Sequence, residues 1–547
     1  MREYVVKLNN LTCKNCEKEI KNALNSEEVE LINVNFAGGT LKFSSSVEIT
    51  KKELITMLNS TKFDVEHFIS QPISQKDDTT NENYDFDLLI IGSGSAAFSA
   101  AIKAAEYSKT VAIVERNEIG GTCVNVGCVP SKTLLRAGEI NHLVNDHQFE
   151  GLNTSGKLES LETLMNQKNQ LVNNLKKKKY IDLIDKYNIY LIKGEANFVD
   201  KKKVMVNEKI YSAKFILIAT GASPFIPEIK GIGEVDYLTS TSIMNLKKIP
   251  QSLTIIGSGY IALELGQLFH HLGTKVTMLR RSSRLLKGYE PEVSEYVENM
   301  LTEQGINLIN NVTYIQVAQS NHVTKVYVEV DGIKQCIESE MLLLAAGRKA
   351  NTENLQLNNT SVQTNSLGSI IVDDFGKTSN DKVYAAGDVI GGPLFVYVAA
   401  YQGSLMAENM FNDKSKRMDL SSVPSVIFTS PSIATVGMTE DEAICKEYQV
   451  KTTVLPLESV PRALVNHDIR GLIKVVIEKD NTKLLGVQIV SENAGEVIYP
   501  ATLAVKFGLT LNDLKETMVP YLTMSEGLKL ALLSFDKKIE DLSCCAS

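Results

Sequence analysis

Phe86-Asp-Leu-Leu-Ile-Ile91-Gly92-Ser-Gly94-Ser-Ala-Ala97 runs from an apolar stretch through two glycines into an alanine-rich segment. The apolar stretch reads as a buried strand and the alanine-rich segment as a helix. Gly92, Gly94 and Ala97 let backbone approach a pyrophosphate at a helix N-terminus. The next strand, Thr110–Val114, ends in Glu115, an acid at the distance that suits a ribose hydroxyl. A glycine pattern alone is weak, but strand, helix and acid in this order make a dinucleotide-binding fingerprint. The pattern then repeats. Leu253–Ile256 leads into Gly257-Ser-Gly259-Tyr260-Ile-Ala262, a helix through Leu272 and a strand at Lys275–Leu279. Arg280 stands where the acid stood, with Arg281 and Arg284 close by. A carboxylate there repels a 2′-phosphate and guanidinium groups bind it, so the second nucleotide reads as NADPH. The fold class is therefore α/β with two Rossmann-like domains.

Working outward from the first fingerprint, the run Gly120-Gly121-Thr122-Cys123-Val-Asn-Val-Gly127-Cys128-Val-Pro130-Ser-Lys132 places two cysteines beside a bound cofactor. Residues five apart do not share a face of a regular helix, so pairing them needs a distorted turn. Gly127 and Pro130 allow one. The plain alternative, two small buried hydrophobes, leaves that placement unexplained. A redox pair is the stronger reading. It implies an electron path with a flavin in the first site, nicotinamide in the second and the cysteines beyond the flavin.

Composition narrows the remainder. A chain of 547 residues exceeds one core and should form several domains. Its net charge of −8 supplies no excess cation for nucleic acid phosphates. The N-terminal run has no apolar signal core and no stretch is long enough to span a membrane; a cytoplasmic protein is expected. In a reducing cytosol its eight cysteines point to metal or redox chemistry. Six fall into close pairs, Cys13/Cys16, Cys123/Cys128 and Cys544/Cys545; Cys336 and Cys445 read as packing residues in a strand and a helix.

Residues 1–70 read as a β-α-β-β-α-β unit, followed by a polar, flexible linker over 71–84. Cys13 and Cys16 sit in a loop entering a helix, where the helix dipole favours thiolate. Zinc wants four ligands, and no second pair or histidine follows nearby. At the other end, Cys544 and Cys545 are adjacent. Adjacent α-carbons lie about 3.8 Å apart, below the usual disulfide span of roughly 4.4–6.8 Å. A dithiol suited to a soft metal ion is the favoured form.

From Asp85 to about Phe535 the chain resembles the flavin-dependent pyridine-nucleotide disulfide oxidoreductases. The likeness rests on GSGSAA at 92–97, GGTCVNVGCVPSK at 120–132, ATG at 219–221, GSGYIALE at 257–264, AAGRKAN at 345–351, VYAAGDV at 383–389 and PSVIFTSPSIATVG at 424–437. It implies an FAD-binding domain over 85–233 and 346–418, an NADPH-binding domain over 234–345 and an α+β dimer-interface domain over 419–547. It also implies cofactor contacts from Gly121, Thr122, Thr220, Gly221 and Asp388, with Glu115 on the adenosine ribose. Lys132 and Glu264 match a pair near flavin N5, and Tyr260 a residue that covers the flavin until nicotinamide displaces it. Cys128 corresponds to the sulfur nearest the flavin and Cys123 to the one that exchanges with substrate.

One departure bears on the substrate. Disulfide reductases carry a proton-shuttling histidine where this chain has Tyr521, with Glu526 five residues on. A phenol with a reference pKa near 10 is a poor base for a thiol. The head resembles the ferredoxin-like metal-binding domains of copper chaperones and heavy-metal pumps, with Leu11 where those usually carry methionine. Metal-binding head, flavin-linked cysteines, Tyr521 and a Cys-Cys tail together resemble the mercuric ion reductases. That likeness implies a homodimer taking Hg(II) as a thiolate complex. The tail of one subunit would pass the ion to the Cys123/Cys128 pair of the other, with Tyr180 and Tyr521 near the inner site. The alternatives are a reductase of an unusual small disulfide, which would need a proton shuttle, and a non-enzymatic metal buffer, which would leave both nucleotide sites unexplained.

Overall fold

The computed structural model describes residues 2–9, 19–20, 23–24, 29–35, 40–59, 63–72 and 84–541. Cys13, Cys16, Cys544, Cys545 and most of the expected linker lie outside the described residues.

The head is a four-stranded antiparallel sheet in the order Val29–Asn35, Thr40–Ser45, Arg2–Asn9, Asp64–Pro72. That order and the helix Lys51–Leu58 fit the expected β-α-β-β-α-β unit, whose first helix lies mostly outside the described residues; the last strand runs on through Gln71 and Pro72, which the sequence places in the linker. The helix starts on a capping box in which Thr50 and Glu53 each bond the other's backbone N–H. Alternation along the first strand buries Tyr4, Val6 and Leu8. The ring of Tyr4 stacks on Phe43 with centroids 4.9 Å apart.

The chain divides into two compact units, one of residues 1–125, 173–223 and 349–418, the other of 126–172, 224–348 and 419–547. In the first, the fingerprint strand Phe86–Ile91 lies between Val111–Glu115 and Lys209–Ile218, parallel to both. Residues 88–90 are fully buried, as a central parallel strand requires. The alanine-rich helix Ser95–Glu106 buries Ala97, Ala101 and Ala104 and packs closely on the helix Val396–Phe411. A Cβ on Gly403 would stand 2.0 Å from the Ala96 carbonyl oxygen, so small residues at this crossing set the approach.

In the second unit the sheet is five-stranded and parallel, in the order Leu238–Thr239, Met341–Leu344, Ser252–Ile256, Lys275–Leu279, Asn307–Ile309. The helix Tyr260–His271 follows the second fingerprint. The helix Cys128–Leu143 packs along it, and a Cβ on Gly138 would meet Leu268 at 2.9 Å. A separate antiparallel sheet runs Ser425–Ile427, Ser432–Gly437, Leu484–Ser491, Leu472–Glu478, Val450–Pro456. The helices Ala494–Phe507 and Met524–Leu533 share its core.

Cys336 and Cys445 do lie in a strand and a helix, but both are exposed. Cys336 is on an edge strand of the small antiparallel sheet 313–339, whose outer face meets solvent. Neither is a packing residue. Among the described residues, no helix is long and apolar enough to cross a membrane.

Candidate active site

The first unit builds a close-fitting glycine cradle. Gly92 follows the fingerprint strand at φ +106°, and a Cβ there would stand 2.3 Å from the Ala219 carbonyl oxygen. Gly121, at φ +67°, comes so near that its Cβ would lie 2.6 Å from the Gly94 α-carbon. Both positions therefore need glycine. Gly94 caps the helix Ser95–Glu106, whose N-terminus is the anion-binding end, and Ala97 is buried beneath it. Glu115 accepts hydrogen bonds from the Ser93 hydroxyl (2.5 Å) and the Asn117 N–H (2.7 Å). The Ser93 oxygen also accepts from the Gly120 N–H at 3.1 Å. The Thr220 hydroxyl donates to the Asn351 carbonyl (2.7 Å), and the Asn351 side chain donates back to the Thr220 carbonyl (2.8 Å). Asn351 N–H also donates to the Gly221 carbonyl at 2.9 Å. Asp388 opens a short 3-10 turn just after Gly387, itself at φ +80°. Thr122 is exposed. A dinucleotide such as FAD fits this cradle, since a Cβ would fill the space its glycines keep clear.

Cys123 belongs to the short helix Gly121–Asn125. Val126 and Gly127 interrupt it, and Cys128 begins the helix Cys128–Leu143. This is the broken turn that the spacing demands, with Pro130 in the first helical turn, where it costs no hydrogen bond. Cys128 thus stands at the positive end of a 16-residue helix dipole, and both cysteines are half-buried. Tyr180 lies in a π-helical turn, Lys177–Ile181, a rare form that recurs at functional sites. Its ring packs edge-on to Phe98 (4.9 Å) and against Gly120, where a Cβ would meet it at 3.3 Å. Tyr180 therefore touches the cysteine-bearing loop within the first unit.

In the second unit Lys132, one turn beyond Cys128, bonds Glu264 at 2.7 Å. The other Glu264 oxygen accepts the Phe428 N–H at 3.0 Å, and the ammonium lies 4.8 Å from the Phe428 ring centroid. Glu264 is 8% exposed and Lys132 35%, so a largely buried carboxylate holds a more open cation. Gly257 repeats Gly92: at φ +129°, its Cβ would stand 2.2 Å from the Ala345 carbonyl oxygen. Gly259 caps the helix Tyr260–His271 over open space, and Ala262 is buried. A cleft of about 470 Å³ opens there, lined by Ser258, Gly259, Tyr260, Arg284, Lys287 and Tyr289 among others. A helix N-terminus and two cations suit the phosphates of NADPH. The Tyr260 hydroxyl meets those of Tyr289 (2.7 Å) and Ser425 (3.0 Å).

Arg280 departs from expectation. Its guanidinium is 2% exposed, bonded to Glu298 at 2.6 Å and to the Ser283 carbonyl at 3.0 Å. It braces the sheet edge from within, while Arg281 remains exposed. Tyr521, 48% exposed, sits in the turn between the helices Leu511–Glu516 and Met524–Leu533. Glu526, 8% exposed, accepts the Leu522 N–H at 3.3 Å. Burial raises its carboxyl above the ordinary value, with that N–H opposing. Glu526 thus shapes the turn that presents Tyr521. Tyr289 and Glu298 lie outside the motifs, and Ser93, Ser425 and Phe428 lie within them without standing out; only the fold shows what these five touch.

Residues 86–403 match the pyridine nucleotide-disulphide oxidoreductase family, residues 423–532 its dimerisation domain and residues 5–64 the heavy-metal-associated domain. The chain is 53% identical over 547 residues to a mercuric reductase of Lysinibacillus sphaericus, covering the whole of both. It is 52% identical over 543 residues to one of Staphylococcus aureus, covering 99% of each. Among solved structures it resembles the Cu(II) complex of the HOCl-induced flavoprotein disulfide reductase RclA from Escherichia coli. There the TM-score is 0.74 at 28% identity, covering 83% of this chain and 99% of that one. The chain belongs to the pyridine nucleotide-disulphide oxidoreductases and, within them, to the mercuric reductases, enzymes that use FAD and NADPH.

Proposed function

We propose that this chain reduces Hg(II) to Hg(0) with NADPH and FAD, and that Cys123 and Cys128 hold the metal while it is reduced. The observation that carries this reading is the end-to-end identity with mercuric reductases, joined to a cysteine pair and Tyr521 in place of a base. The overall balance is NADPH + Hg(II) → NADP⁺ + H⁺ + Hg(0). When bound, the nicotinamide and flavin supply the electron pair. The chain's own residues receive, hold and orient the ion. Cys544 and Cys545 capture Hg(II) as a bis-thiolate and, from the partner subunit of a homodimer, pass it to Cys123 and Cys128. Each exchange swaps one thiolate for another, as in thiol–disulfide chemistry, so the ion is never released. Cys128 gains from the helix dipole behind it, and Lys132, held by Glu264, keeps a positive charge one turn along the same helix. Tyr521 and Tyr180 bring hydroxyl groups with no strong base, leaving thiolates to the metal. Cys13 and Cys16 act as collectors. A reducing cytoplasm would keep all three pairs as thiols, which suits that location.

The test is NADPH oxidation by the flavin-loaded protein with Hg(II) and excess thiol, trapping volatile mercury. Wild type should consume one NADPH per Hg(0). A Cys544→Ala/Cys545→Ala variant should still accept electrons from NADPH yet lose turnover under excess thiol. Unchanged turnover in that variant would remove the tail from the mechanism; oxidation driven by oxidised glutathione and not by Hg(II) would overturn the whole reading.

A further inference from the structure

The cleft of the second unit has two kinds of wall. Arg284 and Lys287 supply cations near Gly259, and Tyr260 and Tyr289 supply hydroxyls. A dinucleotide whose phosphates lie on the helix N-terminus must share the remaining space with Tyr260, the first residue of that helix. Tyr260 is not left to turn freely. Its hydroxyl lies 2.7 Å from that of Tyr289 and 3.0 Å from that of Ser425, and these two lie 3.1 Å apart. The three close a ring in which each hydroxyl can donate once and accept once.

The members of the ring differ in mobility. Tyr289 and Ser425 are each 6% exposed. The Tyr289 N–H donates to the Leu286 carbonyl at 2.9 Å, and its own carbonyl accepts from Arg284. Ser425 is fixed in the strand Ser425–Ile427, paired with Thr435. Tyr260 is the more exposed member, and the family resemblance already implies that nicotinamide displaces it; what holds it beforehand is the question. Buried hydroxyl networks resist opening more than exposed ones.

We infer that Tyr289 and Ser425 are positioning residues that latch Tyr260 across the nucleotide cleft, so that nucleotide binding must open the hydroxyl ring. The inference rests on this cleft being the NADPH site of the proposed function. Weakening the latch should favour the bound form, since the free protein then gives up less.

Calorimetric titration of the flavin-loaded protein with NADP⁺, which binds without transferring hydride, reads this directly. Tyr289→Phe should bind NADP⁺ about fivefold tighter, the effect of one net hydrogen bond. Ser425→Ala should shift in the same direction, and the double variant should gain no more than the larger single change, because all three share one ring. Tightened binding is not a result that structural damage produces. If Tyr289→Phe fails to fold, Ser425→Ala carries the test. Unchanged or weaker binding in both variants overturns the latch, whereas failure of wild type to bind NADP⁺ overturns the cleft assignment itself.

Discussion

The two fingerprints use one backbone solution and finish it differently. Gly92 and Gly257 both follow a central parallel strand at positive φ, each with a carbonyl oxygen where a Cβ would go. Gly94 and Gly259 both cap the helix that follows. The strand ends then diverge. Glu115 keeps its carboxylate at the sheet edge, bonded to Ser93 and Asn117. Arg280 turns inward onto Glu298. The shared part answers to the pyrophosphate, common to every dinucleotide. We propose that the divergent part tells adenosine riboses apart, and there residue identity alone does not show that Arg280 is already engaged by Glu298.

The largest effects should come from breaking the shared part, one copy at a time. Gly92→Ala would force a Cβ to 2.3 Å from the Ala219 oxygen, and Gly257→Ala to 2.2 Å from the Ala345 oxygen, both at a φ that alanine resists. Each should cost on the order of 3 kcal/mol locally, from backbone strain plus displacement. Gly92→Ala should purify without yellow flavin. Gly257→Ala should stay yellow yet no longer be reduced by NADPH. Flavin absorbance before and after adding NADPH separates the two; loss of flavin from both would mean that the fingerprints do not serve separate nucleotides.

Next is the divergent part. Removing Glu298 leaves a guanidinium that is 2% exposed without its countercharge, and Nε and Nη1 of Arg280 already have no hydrogen-bond partner among the described residues. Glu298→Ala should destabilise by about 3 kcal/mol, seen as a lower urea midpoint reported by loss of NADP⁺ binding. Glu115→Ala, at a more open carboxylate, should barely move the midpoint. Equal shifts would erase the distinction between an inward and an outward strand end.

What was legible in the sequence follows the same division. Gly92, Gly94, Gly257, Gly259 and the Cys123–Cys128 turn answer to local backbone demands, which a short window exposes. The strand order of the head and its helix Lys51–Leu58 were legible for the same reason, since each is a short local run. Phe428 beside Glu264 and Ser425 beside Tyr260 were not, because 164 and 165 residues separate the partners. The engagement of Arg280 was not legible because the strand-end rule identifies the residue and says nothing of a competing Glu298 on a neighbouring helix. Cys336 was misread because a strand pattern does not reveal which strand is an edge.

The helices after the two fingerprints also end differently, and acid should show it. Ser95–Glu106 closes with an exposed Lys103–Glu106 pair. Tyr260–His271 closes with His271, 7% exposed, its ring stacked 4.2 Å from that of His142. Burial chiefly, with His142, His270 and Arg470 adding repulsion, lowers the His271 pKa to about 3. Burial lowers His142 too, against an opposing pull from Asp146. A histidine lowered on folding binds its proton more readily when unfolded. Its stability contribution is therefore complete above the unfolded value near 6.5 and is lost as pH falls from there towards 3. The slope is at most about 1.4 kcal/mol per pH unit for one such proton. Acid should release NADP⁺ before it releases flavin, and His271→Phe should flatten the pH dependence of the melting temperature. An unchanged slope in that variant would assign acid sensitivity elsewhere.

The smallest effect on stability carries the sharpest test of specificity. With Arg280 committed to Glu298, we propose that the 2′-phosphate falls to Arg281, which is exposed, and to Arg284, whose Nη2 already donates to the Lys287 carbonyl at 3.0 Å. A single charge-assisted contact of this kind is worth about 1.4 kcal/mol, a factor of about ten. Arg281→Ala should lower the ratio of kcat/KM for NADPH over NADH by about that factor, through KM, with the urea midpoint unmoved. Arg280→Ala should do the reverse, lowering the midpoint and leaving the ratio alone. A ratio that follows Arg280 and ignores Arg281 would restore the strand-end residue as the selector, and would require Glu298 to yield Arg280 when the nucleotide binds.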